Sequence, residues 1–148
     1  MENEKVAFIE ELALAWVRLT GALKNTRIPQ GMIYNEAIVM LLAYHRYLED
    51  GKGELSFKEI TNETKMLKSL VNRTIDSLVN KGLLMRLESI DKRTTLVCLV
   101  PEKLEVYLEV HRKTIALVES IVELIGEDDA RAFVRLAGKI ANANPLNG

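Results

Sequence analysis

Apolar residues recur along the chain with two different periods, and the changes of period divide it into eight elements. Over residues 3–25, Ile9, Leu12, Trp16, Leu19 and Leu23 stand three and four apart, which predicts a helix with a heptad-like seam. Pro29 and Gly31 interrupt it. A second helix is expected from Asn35 to Tyr47, with Ile38, Leu41, Leu42 and Leu48 inward, closed by Asp50-Gly51-Lys52-Gly53. His45 lies beside these leucines and is expected to pack with them. Ser56-Phe57-Lys58-Glu59 has the spacing of a capping box and opens a short helix ending near 63–65. A fourth helix runs from Leu67 to Lys81, with Gly82 as the left-handed residue beyond its end.

After Gly82 the period becomes alternating. Residues 83–88 and 94–100 read as strands, and the polar link Ser89-Ile90-Asp91-Lys92-Arg93 makes them a hairpin with a basic tip. Pro101 suits the first turn of a helix. Leu104, Leu108, His111, Ile115, Val118, Val122 and Ile125 then alternate spacings of four and three over 22 residues. A seam this long exceeds what one core needs and predicts a partner helix. Gly126 stops it, and a last helix is expected over 128–142. The fold class is therefore mainly α, an α+β winged helix, with four helices, a hairpin wing and two further helices.

Residues 69–80 contain SLVN twice. On a helix the copies, eight residues apart, differ by about 80° of rotation, so they are not a structural repeat. Val71, Ile75 and Leu78 fall on one arc, Ser69, Asn72, Arg73 and Asp76 on the other. The outward residues of the N-terminal half, Lys68, Ser69, Asn72 and Arg73, are short hydrogen-bonding groups beside long cations. Asn and Arg carry paired donors and acceptors that match purine edges in a major groove.

The chain has 148 residues, 48% hydrophobic and 28% charged, the make-up of one globular domain. Its net charge of −1 argues against nucleic acid, but the distribution is uneven. Residues 56–93 hold 8 basic and 5 acidic side chains, whereas 1–55 and 94–148 each hold 6 basic and 8 acidic. A basic middle between acidic flanks suits a DNA-contacting module. One cysteine, Cys98, excludes a disulfide framework and is read as a small apolar residue. No membrane span or leader pattern is present, so a cytoplasmic location is expected. No catalytic motif, cofactor motif or transition-metal ligand set occurs, so no enzyme activity, cofactor or metal is expected.

From Leu55 onward, LSFKEITNETKMLKSLVNRTIDSLVNKGLLMR with Asp91-Lys92-Arg93 resembles the winged helix-turn-helix of the multiple-antibiotic-resistance-regulator (MarR) family of transcription factors. The match is gapless over the capped helix, the recognition helix, the glycine and the arginine closing the first wing strand, and Asp91-Lys92-Arg93 fits the Asp-x-Arg wing signature. Two departures are Leu67, where Ser or Thr usually begins the recognition helix, and Leu99-Val100-Pro101 where the closing strand commonly runs into Leu-Thr. The resemblance implies that Ser69, Asn72 and Arg73 face the major groove and that Arg93 enters a minor groove, with Asp91 orienting a wing arginine. Lys65, Lys68, Arg86 and Lys92 become phosphate contacts by position and charge. It implies a homodimeric, effector-responsive regulator, a repressor, on a pseudo-palindromic operator in double-stranded DNA. Residues 30–100 would be the DNA-binding lobe, and 3–25 with 102–142 the dimerisation lobe. An effector, small and aromatic or amphipathic, would reach Trp16, Tyr34, Tyr44 or His111, for which core packing is the plainer reading; His111 also fits a pH-responsive dimer contact. A winged-helix adaptor that binds protein rather than DNA is the alternative, and a small enzyme with a dimer-interface cleft a further one.

Overall fold

The computed structural model describes residues 1–25, 32–88 and 95–143. The elements are α1 (Glu2–Lys24), α2 (Tyr34–Asp50), β1 (Leu55–Ser56), α3 (Phe57–Thr64), α4 (Lys68–Asn80), β2 (Leu84–Leu87), β3 (Leu96–Leu99), α5 (Leu104–Ile125) and α6 (Glu127–Asn142). A 3-10 turn, Pro101–Lys103, leads into α5. The chain divides into two compact units, Met1–Val110 and His111–Gly148.

The core lies in the first unit. α2 buries Glu36, Val39, Met40 and Ala43, a stripe at helical spacing. Ile60 of α3 and Val71, Ile75 and Leu78 of α4 pack into the same cluster with no exposed surface. Leu84, Val97 and Leu99 bring the sheet into it, and Tyr107 and Val110 the start of α5. This stripe corrects the expected inner face of α2. Ile38, Leu41 and Leu42 are only half-buried, and Leu48 is 63% exposed. His45 is exposed rather than packed. The helix also runs three residues past Tyr47, to a C-terminal Gly51 at φ 73°.

The sheet has three antiparallel strands in the order β1-β3-β2. Leu84 pairs with Leu99 and Leu87 with Leu96, so the register is the one a hairpin gives. β1 was not expected. It is two residues long, pairing Leu55 with Val97 and Ser56 with Leu96, too short for any alternation to show.

In the second unit, the part of α5 beyond Val110 and all of α6 contain no buried residue. Phe133 and Val134 of α6 are 55% and 73% exposed. α1 likewise buries nothing, and Phe8, Leu12, Trp16 and Val17 are all at least half open to solvent.

Gly53 bridges α2 and β1 with φ 69°, and a Cβ there would lie 2.8 Å from Leu99 Cγ and 2.9 Å from the Ala43 carbonyl oxygen. Gly53→Ala therefore combines left-handed strain of about 1–2 kcal/mol with overlap of about 1–3 kcal/mol. Denaturant unfolding should show a loss of at least about 2 kcal/mol, by the same two terms. Gly51→Ala, with nothing near its added Cβ, should lose only the strain.

Candidate nucleic-acid interface

α3 begins with the expected capping box. The Glu59 amide donates to Ser56 Oγ at 3.0 Å, and the Ser56 amide donates to Glu59 Oε1 at 3.2 Å. The helix ends on Lys65, whose backbone is left-handed at φ 60° and whose amide donates to the Thr61 carbonyl at 3.0 Å. The Met66 amide donates to Thr64 Oγ1 at 3.2 Å, which tightens the turn. Leu67 then caps α4 in extended conformation without a side-chain hydrogen bond, because leucine has no acceptor to offer. Its side chain is 76% exposed, so it does not join the apolar arc. The result is a short helix, a tight turn and a 13-residue helix.

α4 has the two faces that its sequence predicts. Val71, Thr74, Ile75 and Leu78 are buried, while Lys68, Ser69, Asn72, Arg73 and Asp76 are exposed. Thr74 satisfies its hydroxyl by donating to the Leu70 carbonyl at 2.7 Å. Lys65 is exposed in the turn before the helix. Arg86 on β2 is exposed and forms an ion pair with Asp76, which links the wing strand to the outer face of α4. Asp91, Lys92 and Arg93 lie outside the described residues.

Two ties hold this helix pair to α2, and the sequence reading found neither. Near the start of α2, Glu36 is only 1% exposed and accepts from Lys81 Nζ at 2.9 Å and from the Ser77 hydroxyl at 3.2 Å. Further along, Arg46 pairs with Glu59 of α3 and donates to the Glu54 carbonyl at 3.4 Å. Glu36 sits three, four and seven residues before Val39, Met40 and Ala43. That spacing is the one signal that could have revealed it, had a glutamate been admitted to an apolar stripe.

The effector candidates stand on three helices, α1, α2 and α5. Trp16 is half exposed on α1, Tyr34 is half-buried at the first position of α2, and His111 is half-buried on α5. Tyr44 packs in the first unit, its ring 5.3 Å from Tyr107 and stacked 6.5 Å from Tyr47. Burial, with the Tyr44 hydroxyl adding to it, pushes the Tyr107 hydroxyl well above the ordinary tyrosine range. An open cavity of about 530 Å³ lies elsewhere in this unit, lined among others by Tyr47, Lys52, Met85, Leu87, Cys98 and Leu104. None of Trp16, Tyr34, Tyr44 and His111 lines it. Cys98 is buried on β3, and its burial raises the thiol, as does the Glu54 carboxylate. It is a largely buried thiol that also lines this cavity.

No protein-family model matches the sequence, nor does any curated protein. Solved structures do match in fold. A MarR-family transcriptional regulator from Rhodococcus superposes with a TM-score of 0.71 at 17% identity, over 94% of both chains. The PcaV transcriptional regulator of Streptomyces coelicolor, solved with its natural ligand, gives 0.70 at 18% identity, over 89% of this chain and 90% of that one. A cysteine-to-serine variant of MarR from E. coli, complexed with operator DNA, gives 0.64 at 18% identity, over 90% and 91%. The fold is that of the MarR-family winged helix. Among the described residues no helix is long and apolar enough to cross a membrane, and no group of three or more His, Cys, Asp or Glu is placed to hold a metal ion.

Two carboxyls, Glu59 of α3 and Asp50 at the end of α2, are expected to make the fold sensitive to acid. Partial burial pushes Glu59 up, but bonds from the Ser56 amide, the Arg46 guanidinium and the Ser56 hydroxyl outweigh it and hold the carboxyl below its ordinary range. The amides of Lys52 and Gly53 do the same for Asp50, at 2.8 and 2.9 Å. A carboxyl depressed by folding stabilises above its unfolded pKa, and that contribution is lost as pH falls through the folded value. The thermal midpoint should therefore hold from neutral pH down to about 5 and fall below about 4. Glu59→Gln should shallow the fall; an unchanged acid slope in that variant would remove the Arg46–Glu59 tie from the explanation.

Proposed function

We propose that the protein is a homodimeric, sequence-specific DNA-binding transcriptional regulator of the MarR type, acting as a repressor under the control of a small-molecule effector. The observation that carries this reading is the exposed N-terminal half of α4. Lys68, Ser69, Asn72 and Arg73 form one polar, cationic surface with no apolar side chain in it, on a helix seated as the second member of a helix-turn-helix. In this reading Asn72 and Arg73, with Ser69, contact base edges, and Lys65, Lys68 and Arg86 contact phosphates. In the same reading Lys92 also contacts phosphate and Arg93 enters the minor groove, with Asp91 orienting a wing arginine. The fold of a MarR variant complexed with operator DNA supports the DNA partner, and that of PcaV with its natural ligand supports the effector.

The homodimer is supported by α1 and α6, whose large apolar side chains are exposed among the described residues. Pairing these terminal helices with those of a second copy would set two recognition helices about 34 Å apart on a pseudo-palindromic site. Residues 3–25 and 102–142 are then the dimerisation lobe, and 30–100 the DNA-binding lobe.

Binding to the DNA upstream of the protein's own gene should weaken steeply with salt, in proportion to the phosphates contacted. Arg73→Ala should cost about 1–3 kcal/mol and relax base preference at one position of each half-site. Arg93→Ala should weaken binding more evenly across sequences. If wild type and both variants bind alike at every salt concentration, the surface does not read DNA and a protein-binding winged helix takes its place. Light scattering should give a dimer mass at micromolar concentration; a monomer there would overturn the dimer alone.

A further inference from the structure

Glu36 is the only buried carboxylate among the described residues, and it is the third residue of α2, where the helix's first amides favour negative charge. The Ile33 amide donates to Oε1 at 3.1 Å, Lys81 Nζ lies 2.9 Å from both carboxylate oxygens, and the Ser77 hydroxyl donates to Oε2 at 3.2 Å. One carboxylate thus fastens the first turn of α2 to the last turn of α4.

The fastening is at the opposite end of α4 from the outward-facing polar residues. Ser69 lies eight residues from Ser77, about 12 Å along the axis. A tilt of about 5° at the fastened end would displace Ser69 by about 1 Å, enough to spoil hydrogen bonds that tolerate only about 0.3 Å around their optimum. Only the Glu36 half of this pair is shut away from water, Lys81 being exposed, and a buried carboxylate is a poor device for stability alone, since an apolar side chain of similar volume serves as well or better. What it adds is a unique register between the two helices that it joins.

We infer that Glu36 is a positioning residue for DNA recognition. Through Lys81 and Ser77 it sets the pose of α4, so the reading surface follows any displacement of the start of α2. This rests on the DNA-reading assignment above and names a control point for it. Arg46 and Glu59 make the corresponding tie to α3, so both helices of the helix-turn-helix are carried by α2.

The sign of one substitution separates this role from simple electrostatics. Glu36→Gln keeps the side-chain shape, and its one carbonyl oxygen can still accept from the Ile33 amide while its NH2 group donates to the Ser77 hydroxyl, but it removes the charge opposite Lys81. Deleting a negative charge strengthens DNA binding on electrostatic grounds alone. Loss of the helix pose weakens it. The expected result is about tenfold weaker binding to the DNA upstream of the protein's own gene, within the range of about 5–150-fold usual for coupled sites, with unchanged circular dichroism. Binding to unrelated DNA should stay the same or tighten. Ser77→Ala should act in the same direction more mildly, and Lys81→Arg should retain wild-type affinity.

Specific binding by folded Glu36→Gln that equals or exceeds wild type overturns the inference. If that variant does not fold, the same comparison is read from Ser77→Ala. Amide exchange over residues 71–81, measured without DNA, should speed up in Glu36→Gln relative to the rest of the core; no change would show that Glu36 does not hold α4. If wild type binds no DNA, the functional assignment fails by itself, while the exchange rates still decide whether Glu36 fixes the helix.

Discussion

Helices of eight and thirteen residues cannot stand alone in water. Nucleation costs more than their few internal hydrogen bonds return, and isolated helices below about 12–15 residues are marginal even when rich in alanine. α3 and α4 are of these lengths, so their helicity and mutual angle come from what they pack against. That support is the buried stripe of α2, met by Ile60 from α3 and by Val71, Ile75 and Leu78 from α4. The outward surface of α4 is consequently a by-product of inward packing. Each buried residue at a spacing of three or four fixes which neighbours face water, and Ser69, Asn72 and Arg73 are the neighbours so fixed.

This is also why the middle of the chain was readable and its surroundings less so. In α4 Val71, Ile75 and Leu78 obey the helical period, so the polar arc opposite them could be assigned from the sequence. The Ser56–Glu59 box marked the start of α3 because two polar side chains at that spacing satisfy two amides at once. The inner face of α2 was misread for a physical reason. One member of its buried stripe is a glutamate, and a rule that sorts residues by hydrophobicity places Glu36 outside and recruits Leu48 instead. Leu67 failed differently: it is apolar at the right phase, but it precedes the helix in extended conformation, where phase has no meaning. β1 is shorter than one period of its own pattern. Trp16, Tyr34, Tyr44 and His111 were chosen by residue type and family resemblance rather than by spacing.

The charge distribution gains detail from the ion pairs. The basic surplus of residues 56–93 is not all available to a polyanion, because Lys81 is engaged by Glu36 and Arg86 by Asp76. These two engagements differ in kind. Lys81 meets a carboxylate shut away from water, whereas Arg86 meets one on the open surface, where such pairs contribute little and exchange freely. A phosphate could therefore recruit Arg86 at small cost, while Lys81 stays committed to the scaffold. Asp76, left behind, would add a repulsive element facing the same polyanion, a means of disfavouring sites that do not bring a phosphate to Arg86.

Among the described residues, Lys65 is the one non-glycine with positive φ. Its backbone makes the tight turn between α3 and α4, a task that glycine performs with less strain. Its ammonium group, at the entrance to the proposed DNA surface, is something glycine cannot supply. The position thus carries two requirements that no single residue meets without loss. Drift toward glycine would be invisible to selection for folding, and even welcomed by it, yet would erode affinity for a polyanion. Sequence changes at Lys65 among descendants of this protein would accordingly record whether the surface is still in use, because only selection for binding opposes the more comfortable residue.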